Sequence, residues 1–172
     1  MQEKRIEILQ RMPIFGGIRA EVLQFLLSQL TSVFVPHGEF FFRENDKADS
    51  MFVLETGKVS VLKGWEGKHY LLCNLEKGDC FGEMALMDFS PRSASVLALE
   101  DSLALEISVG DLFKLYQKDL EQFTMIQMNM GREVSRRLRE TDEQLFRTRI
   151  GVSTANDDRI FRLVENLKIG RG

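Results

Sequence analysis

Two short groups near the middle of the chain carry residue types suited to binding a small charged ligand. They are Gly82-Glu83-Met84-Ala85-Leu86 and, a few residues on, Pro91-Arg92-Ser93-Ala94. If the first group makes one helical turn directly after a strand ending at Phe81, its free backbone N–H groups point outward and offer an anion site. Gly82 lets the backbone approach closely, and Ala85 keeps the floor small. Pro91 stiffens the approach to Arg92, whose planar fork can meet two oxygens of one phosphate. Ser93 adds a hydroxyl to the same group. Glu83 is a poor neighbour for the phosphate itself but a good acceptor for a sugar hydroxyl beside it. A carboxylate for a sugar hydroxyl and an arginine for a phosphate together describe a nucleotide. Taken singly, a loop Arg is most often a solvated charge, and a Glu after Gly is usually a helix-start charge favoured by the dipole. The combination, set between strands, is what points to a pocket.

The elements that must hold this stretch are legible on both sides of it. Residues 2 to 12 read as a short amphipathic helix with Ile6, Leu9 and Met12 inward, ended by Pro13. A second helix, about 20 to 30, carries Val22, Leu23, Leu26, Leu27 and Leu30 at core-facing spacing. From Ser32 to Ser108 the pattern changes to short runs rich in Val, Phe and Leu between glycines. Strands are expected near 32–36, 39–43, 50–56, 58–63, 68–75, 93–99 and 102–108. Two of them meet at Gly57 in a tight turn where glycine takes positive φ. Gly38, Gly57 and Gly78 recur at intervals of 19 and 21 residues, which suits successive layers of a rolled antiparallel sheet, with a sandwich as the alternative.

Beyond Val109 the helical period returns, first from Gly110-Asp111 through Leu112, Phe113, Leu115 and Tyr116, then over about 120 to 150. The apolar stripe of the longer helix is Phe123, Ile126, Met130, Val134, Leu138, Thr141 and Leu145, in steps of 3, 4, 4, 4, 3 and 4. A stripe so long and narrow reads as a helix–helix seam, and with no second long helix to receive it, the expected partner is another copy of the chain. Packing back on the sheet is the alternative. A last helix, about Asp157 to Lys168, is expected after the break at Gly151. The organisation is therefore a sheet unit with its helices over 1–118, a long helix over 119–150 and a short helix and tail over 151–172.

The totals bound the function classes. A chain of 172 residues with 44% apolar and 28% charged residues suits one folded unit with a helical appendage. A net charge of −3 gives no general attraction to nucleic acid or anionic membranes. No run reaches the length of a membrane span and the amino terminus is too charged for a secretory signal, so a cytoplasmic protein with no membrane partner is expected. Cys73 and Cys80 are expected to be reduced, half-buried strand residues, and no metal site is foreseen. The arginines at 132, 136, 137, 139, 147 and 149 face Glu133, Glu140, Asp142 and Glu143, the pattern of a solvated helix face; direct DNA binding is not expected from this chain alone. His37 and His69 have no partner in sequence that would activate a nucleophile, so no enzyme is expected.

Phe81 to Val96 closely resembles the phosphate-binding cassette of the cyclic nucleotide-binding domains, F-G-E-x-A-L, a short insert, then P-R-[STA]-A. Here the pattern is met by Phe81, Gly82, Glu83, Ala85, Leu86, Pro91, Arg92, Ser93 and Ala94. Pro13 to Ile18 is similar to the family's entry segment, Glu55 to Val59 to its strand-glycine-strand signature, and Leu75 to Gly82 to its approach to the cassette. The resemblance implies a mainly β fold with flanking helices, an antiparallel eight-stranded β-roll of jelly-roll type. It implies cyclic nucleotide as the ligand and no other cofactor. Glu83 would take the ribose 2′-hydroxyl, Arg92 and Ser93 the cyclic phosphate, and Gly82, Met84 and Ala85 would supply close backbone. The chain looks most like the bacterial catabolite activator (Crp/Fnr-type) branch, whose dimerising helix is similar to Ser135 through Thr141. That likeness implies a homodimer, with Thr141 at the adenine amino group. The next position, a serine reaching in from the partner chain in that branch, is Asp142 here, which leaves cAMP as the expected ligand and cGMP as the alternative. The branch continues into a winged helix-turn-helix that this chain does not include, so the expectation is a sensory module, with a transcription regulator truncated or completed in trans as the rival. A haem sensor on the same roll would need an axial ligand such as His69 or Cys73.

Overall fold

The computed structural model describes residues 2 to 149. Eight antiparallel strands form two four-stranded sheets. One sheet has the order β1 (Thr31–Val35), β8 (Ser102–Ser108), β3 (Ser50–Thr56), β6 (Cys80–Phe81). The other has β2 (Phe40–Phe42), β7 (Ser95–Ala98), β4 (Lys58–Trp65), β5 (Lys68–Glu76). Helices α1 (Gln2–Gln10), α2 (Ala20–Leu27), α4 (Val109–Lys118) and α5 (Leu120–Arg149) flank this roll, and a short α3 (Met84–Asp88) sits inside the cassette stretch. The expected β-roll with helices at both ends is what forms.

The alternation of side chains along a strand explains how one sheet serves two cores. On β3, Met51 and Val53 face the helices, while Phe52 and Leu54 face the interior of the roll. On β8, Leu105 and Ile107 join the helical side and Ala104 the roll. The helical core gathers Ile6, Leu9, Phe15, Leu23, Leu115, Ile126 and Met130 against that sheet. The inner core is aromatic, with Phe41, Phe52 and Phe81 packed ring to ring, the Phe52 and Phe81 rings stacked with centroids 5.4 Å apart.

Several expectations are sharpened or corrected. Seven strands are expected by range, and the strand supposed to end at Phe81 is β6, two residues that pair Phe81 with Phe52 and Cys80 with Val53, too short to leave a periodic signal. The strand expected over 93–99 starts at Ser95, because Arg92 and Ser93 are held in the preceding loop. Gly57 has φ +93°, as a positive-φ turn requires, but β3 and β4 belong to different sheets, so the chain crosses there instead of forming a hairpin. The cysteines are both free and neither is half-buried: Cys73 is exposed and Cys80 is enclosed. Burial first of all pushes the Cys80 thiol up to about 12, so it stays protonated. Helix α4 starts on a capping box in which Ser108 accepts from the Asp111 N–H and the Asp111 carboxylate accepts from the Ser108 N–H.

The stripe on α5 is divided between two uses. Ile126 and Met130 are buried and Phe123 packs against the same helical core. Asn129 donates to the carbonyls of Ile14 (3.0 Å) and Gly16 (2.8 Å), fastening the helix to the 3-10 turn at Pro13–Phe15. From Leu138 to Arg149 every residue is exposed, including Leu138 and Leu145. The first half of the stripe therefore packs within the chain, because the N-terminal turn and α4 supply the surface that sequence alone did not reveal. The helix expected over 157–168 lies outside the described residues.

The crossing at Gly57 yields a direct test. A Cβ there would meet Ser102 Cα at 2.7 Å and the Asp101 carbonyl at 2.8 Å, on a backbone already at positive φ. G57A is expected to destabilise the protein by about 2–4 kcal/mol, the sum of a left-handed conformation and overpacking. Urea unfolding should show a lower midpoint with an unchanged slope.

Candidate functional site

The loop that carries Arg92 is clamped by its neighbours. The Asn45 N–H donates to the Arg92 carbonyl and the Arg92 N–H donates to the Asp46 carbonyl, each at 2.9 Å. This fixes the backbone so that the side chain runs inward, where the residue is only 5% exposed. Its Nη1 donates to the Ser50 carbonyl (2.6 Å) and the Gly82 carbonyl (3.0 Å), and Nη2 lies 3.3 Å from Ser50 Oγ. The guanidinium stacks over Phe42, with its carbon 4.1 Å from the ring centroid. Among the described residues no carboxylate forms an ion pair with it. Burial lowers its pKa, and Asp49, Glu106 and Asp46 oppose that only from a distance.

Gly82 is the residue that allows this. It sits at φ +79°, and a Cβ there would collide with Arg92 Nη1 and crowd the Phe42 ring at 3.3 Å. The next residue, Glu83, is 2% exposed and stands at the start of α3. Its Oε1 accepts from Arg137 Nη1 at 2.8 Å, while Arg137 Nη2 donates to the Cys80 carbonyl. Burial works against the charge of Arg137, but Glu83 and the groups around it outweigh that and raise its pKa above the ordinary value. α5 is thereby tied to the cassette through a buried ion pair.

The residues read from sequence fall into two groups. Gly82, Glu83, Met84, Ala85, Arg92 and Ser93 line one cleft of about 420 Å³, its open mouth included, together with Phe42, Val61, Phe81, Ala94, Val96 and Arg137. Ser93 is exposed at the rim, its hydroxyl 3.9 Å from Met84 Sδ. Thr141 and Asp142 are not in that lining. Both are on the exposed half of α5, and Thr141 Oγ1 donates to the Arg137 carbonyl of its own helix at 2.9 Å. Arg137 is the charged lining residue that sequence reasoning missed, having been grouped with a solvated face. The available signal was its place one turn before Thr141, since residues four apart share a helix face.

Three buried side-chain polar atoms among the described residues have no hydrogen-bond partner: Glu83 Oε2, Arg92 Nε and Arg137 Nε. All three belong to residues of this one cleft. Such atoms cost about 1–3 kcal/mol each when left unpaired, so they mark where a polar ligand would repay its desolvation. No group of His, Cys, Asp or Glu among the described residues is placed to hold a metal ion.

The Glu83–Arg137 pair can be probed without any ligand. R137M is expected to cost about 3 kcal/mol, because it leaves the Glu83 carboxylate buried and unpaired. Combining it with E83Q should cost less than the sum of the two single changes, and denaturant unfolding of all four proteins closes the cycle.

Comparison with known proteins places this geometry. Residues 32–119, just over half of the chain, match the family model described as the cyclic nucleotide-binding domain. The cyclic AMP receptor protein of Thermus thermophilus is 31% identical over 134 residues, covering 77% of this chain and 60% of the relative. The type II regulatory subunit of cAMP-dependent protein kinase from Drosophila melanogaster is 29% identical over 125 residues, 68% of this chain and 33% of that one. The crystal structure of the Thermus thermophilus catabolite activator protein superposes with a TM-score of 0.68 at 30% identity, over 77% of this chain and 61% of that structure. The chain thus spans about three fifths of the Thermus relative and a third of the kinase subunit. The matched family model is that of a ligand-binding module. The cassette, the two-sheet roll and the buried arginine converge on one assignment: the chain belongs to the cyclic nucleotide-binding domain family, with Crp-type regulators among its relatives.

Proposed function

We propose that this protein is a cAMP sensor that pairs with a second copy through the exposed half of α5 and signals by a ligand-induced change of conformation. The observation that carries the reading is the convergence of Glu83 Oε2, Arg92 Nε and Arg137 Nε, buried and unpartnered, on one cleft. Arg92 offers a phosphate the edge formed by Nε and Nη2, since Nη1 is committed to the two carbonyls. An anion there gives the buried cation the countercharge that the described residues do not supply. Ser93 and the close backbone at Gly82, Met84 and Ala85 complete the phosphate end. Glu83 Oε2 accepts from a ribose hydroxyl.

The base end is assigned to Thr141 and Asp142, whose exposed position in the single chain suits a ligand or a second copy closing over them. Leu138 and Leu145 of the stripe, 59% and 48% exposed, are left for that second copy, with Phe146 exposed beside them. Residues 1–118 act as the binding unit, 119–150 as the helix that couples it to a partner, and 151–172 as a tail. A switch of this kind requires the ligand to prefer one of two arrangements. Among the described residues no helix is long and apolar enough to cross a membrane, which suits a cytoplasmic sensor. A second reading, a Crp/Fnr-type transcription regulator whose DNA-reading part lies outside these residues, is favoured by the greater length of the Thermus relative. Fluorescence anisotropy with duplex DNA, on the protein as its host makes it, separates the two: cAMP-dependent binding supports the regulator, and indifference supports the sensor.

Titration with cAMP, cGMP and cyclic dinucleotides, followed by thermal stability, tests the ligand class, because a true ligand raises the melting temperature with concentration. The expected order is cAMP first, then cGMP, with cyclic dinucleotides inert; no shift with any of them sinks the assignment. R92A should weaken cAMP binding by about tenfold or more, through loss of the charge-assisted pair. Equal affinities by calorimetry would remove Arg92 from the site. T141A should narrow the preference for adenine over guanine in a competition assay. Selectivity that does not change would free the base end from α5.

A further inference from the structure

The rim of the cleft carries a cation that neither the cassette pattern nor the pocket lining includes. Lys63 lies on β4, just past Leu62, which pairs with Ser95 of β7. Its ammonium donates to the Ser93 carbonyl at 2.8 Å and sits 2.5 Å from Glu44 Oε1. The other carboxylate oxygen of Glu44 accepts from the Gly64 N–H at 2.9 Å, and the Glu44 N–H donates to Ser95 Oγ at 2.9 Å. Glu44, Lys63 and Gly64 thus form a knot joining three segments: the loop after β2, the β4–β5 hairpin and the end of the cassette. Glu44 is the better enclosed partner, its side chain 20% exposed against 48% for Lys63, so the lysine is the arm and the glutamate its anchor.

The planarity of the peptide gives this contact its consequence. Across a trans peptide the C=O of one residue and the N–H of the next point in opposite directions. Ser93 and Ala94 are joined by a trans bond, since no peptide bond among the described residues is cis, and Ala94 lines the cleft. With the Ser93 carbonyl committed to Lys63, the Ala94 N–H is turned the opposite way. We propose that Lys63 is a positioning residue for the phosphate end of the site: by holding the Ser93 carbonyl it fixes the 93–94 peptide plane and aims one backbone donor at one phosphate oxygen. The inference rests on the cyclic nucleotide reading of the same cleft. Lys63 need not touch the ligand, and its effect passes through the backbone of Ser93 and Ala94.

The experiment uses calorimetry with cAMP and with its two phosphorothioate diastereomers, in each of which sulfur, a weak acceptor, replaces one exocyclic oxygen. K63M should weaken cAMP binding by about fivefold, the scale of one lost hydrogen bond, and narrow the affinity ratio between the diastereomers. K63R, which keeps a cationic donor, should restore both. Equal loss for both diastereomers with an unchanged ratio would mean that Lys63 acts only as a distant charge, and wild-type values for K63M would mean that it does nothing; either result overturns the proposal while leaving the cleft assignment intact. Failure of the wild-type protein to bind cAMP at all overturns both. Should K63M not fold, E44Q is the second variant, removing the anchor but keeping the arm. A smaller narrowing of the same ratio then supports the proposal, and an unchanged ratio overturns it.

Discussion

The structure turns on a cation kept inside an apolar roll. Arg92 has two backbone carbonyls and an aromatic face for company and, among the described residues, no carboxylate within ion-pairing distance. A buried charge so placed is expensive, and the surroundings are arranged to tolerate it. Gly82 has no side chain because the guanidinium occupies that space. Phe42 lies flat beneath it, and the 43–46 loop grips its backbone from both sides. Ser50, at the start of β3, lends both its carbonyl and its hydroxyl. Sheet, turn and loop each help to hold one positive group at the wall of the cleft.

Much of this was readable from residue types. Gly82, Glu83, Met84, Ala85, Arg92 and Ser93 line one cleft, and Gly57 takes the positive φ expected of its turn. Strand periodicity located seven of the eight strands, and the helices at both ends fell close to their expected positions. What escaped depends on contacts distant in sequence. β6 is two residues long and exists only because β3 pairs with it. The switch of sheets at Gly57 leaves no local trace, since a hairpin turn and a crossing turn ask the same of a glycine. The stripe on α5 looked uniform because hydrophobic spacing does not say which surface receives it. Arg137 looked like one of six solvated arginines, and only the fold brings a carboxylate 54 residues away to meet it.

That meeting joins two parts of the molecule that otherwise have little in common. Glu83 belongs to the cassette and Arg137 to the long helix, and their pair is nearly closed to solvent, with side chains 3% and 23% exposed. The oxygen of Glu83 that Arg137 does not use is one of the unpartnered atoms in the cleft. A group entering the cleft therefore meets a carboxylate whose other half already holds the helix, so the cleft and α5 share one side chain.

The uneven burial of α5 has a mechanical consequence. Its first half is packed into the helical core, while beyond Arg137 it runs free of the body of the protein to Arg149. Twelve residues of helix are a stiff lever arm of about 18 Å, so a tilt of only about 10° at the Arg137 fulcrum sweeps the tip through about 3 Å. Any tilt of the helix at Arg137 is thereby magnified at its far end.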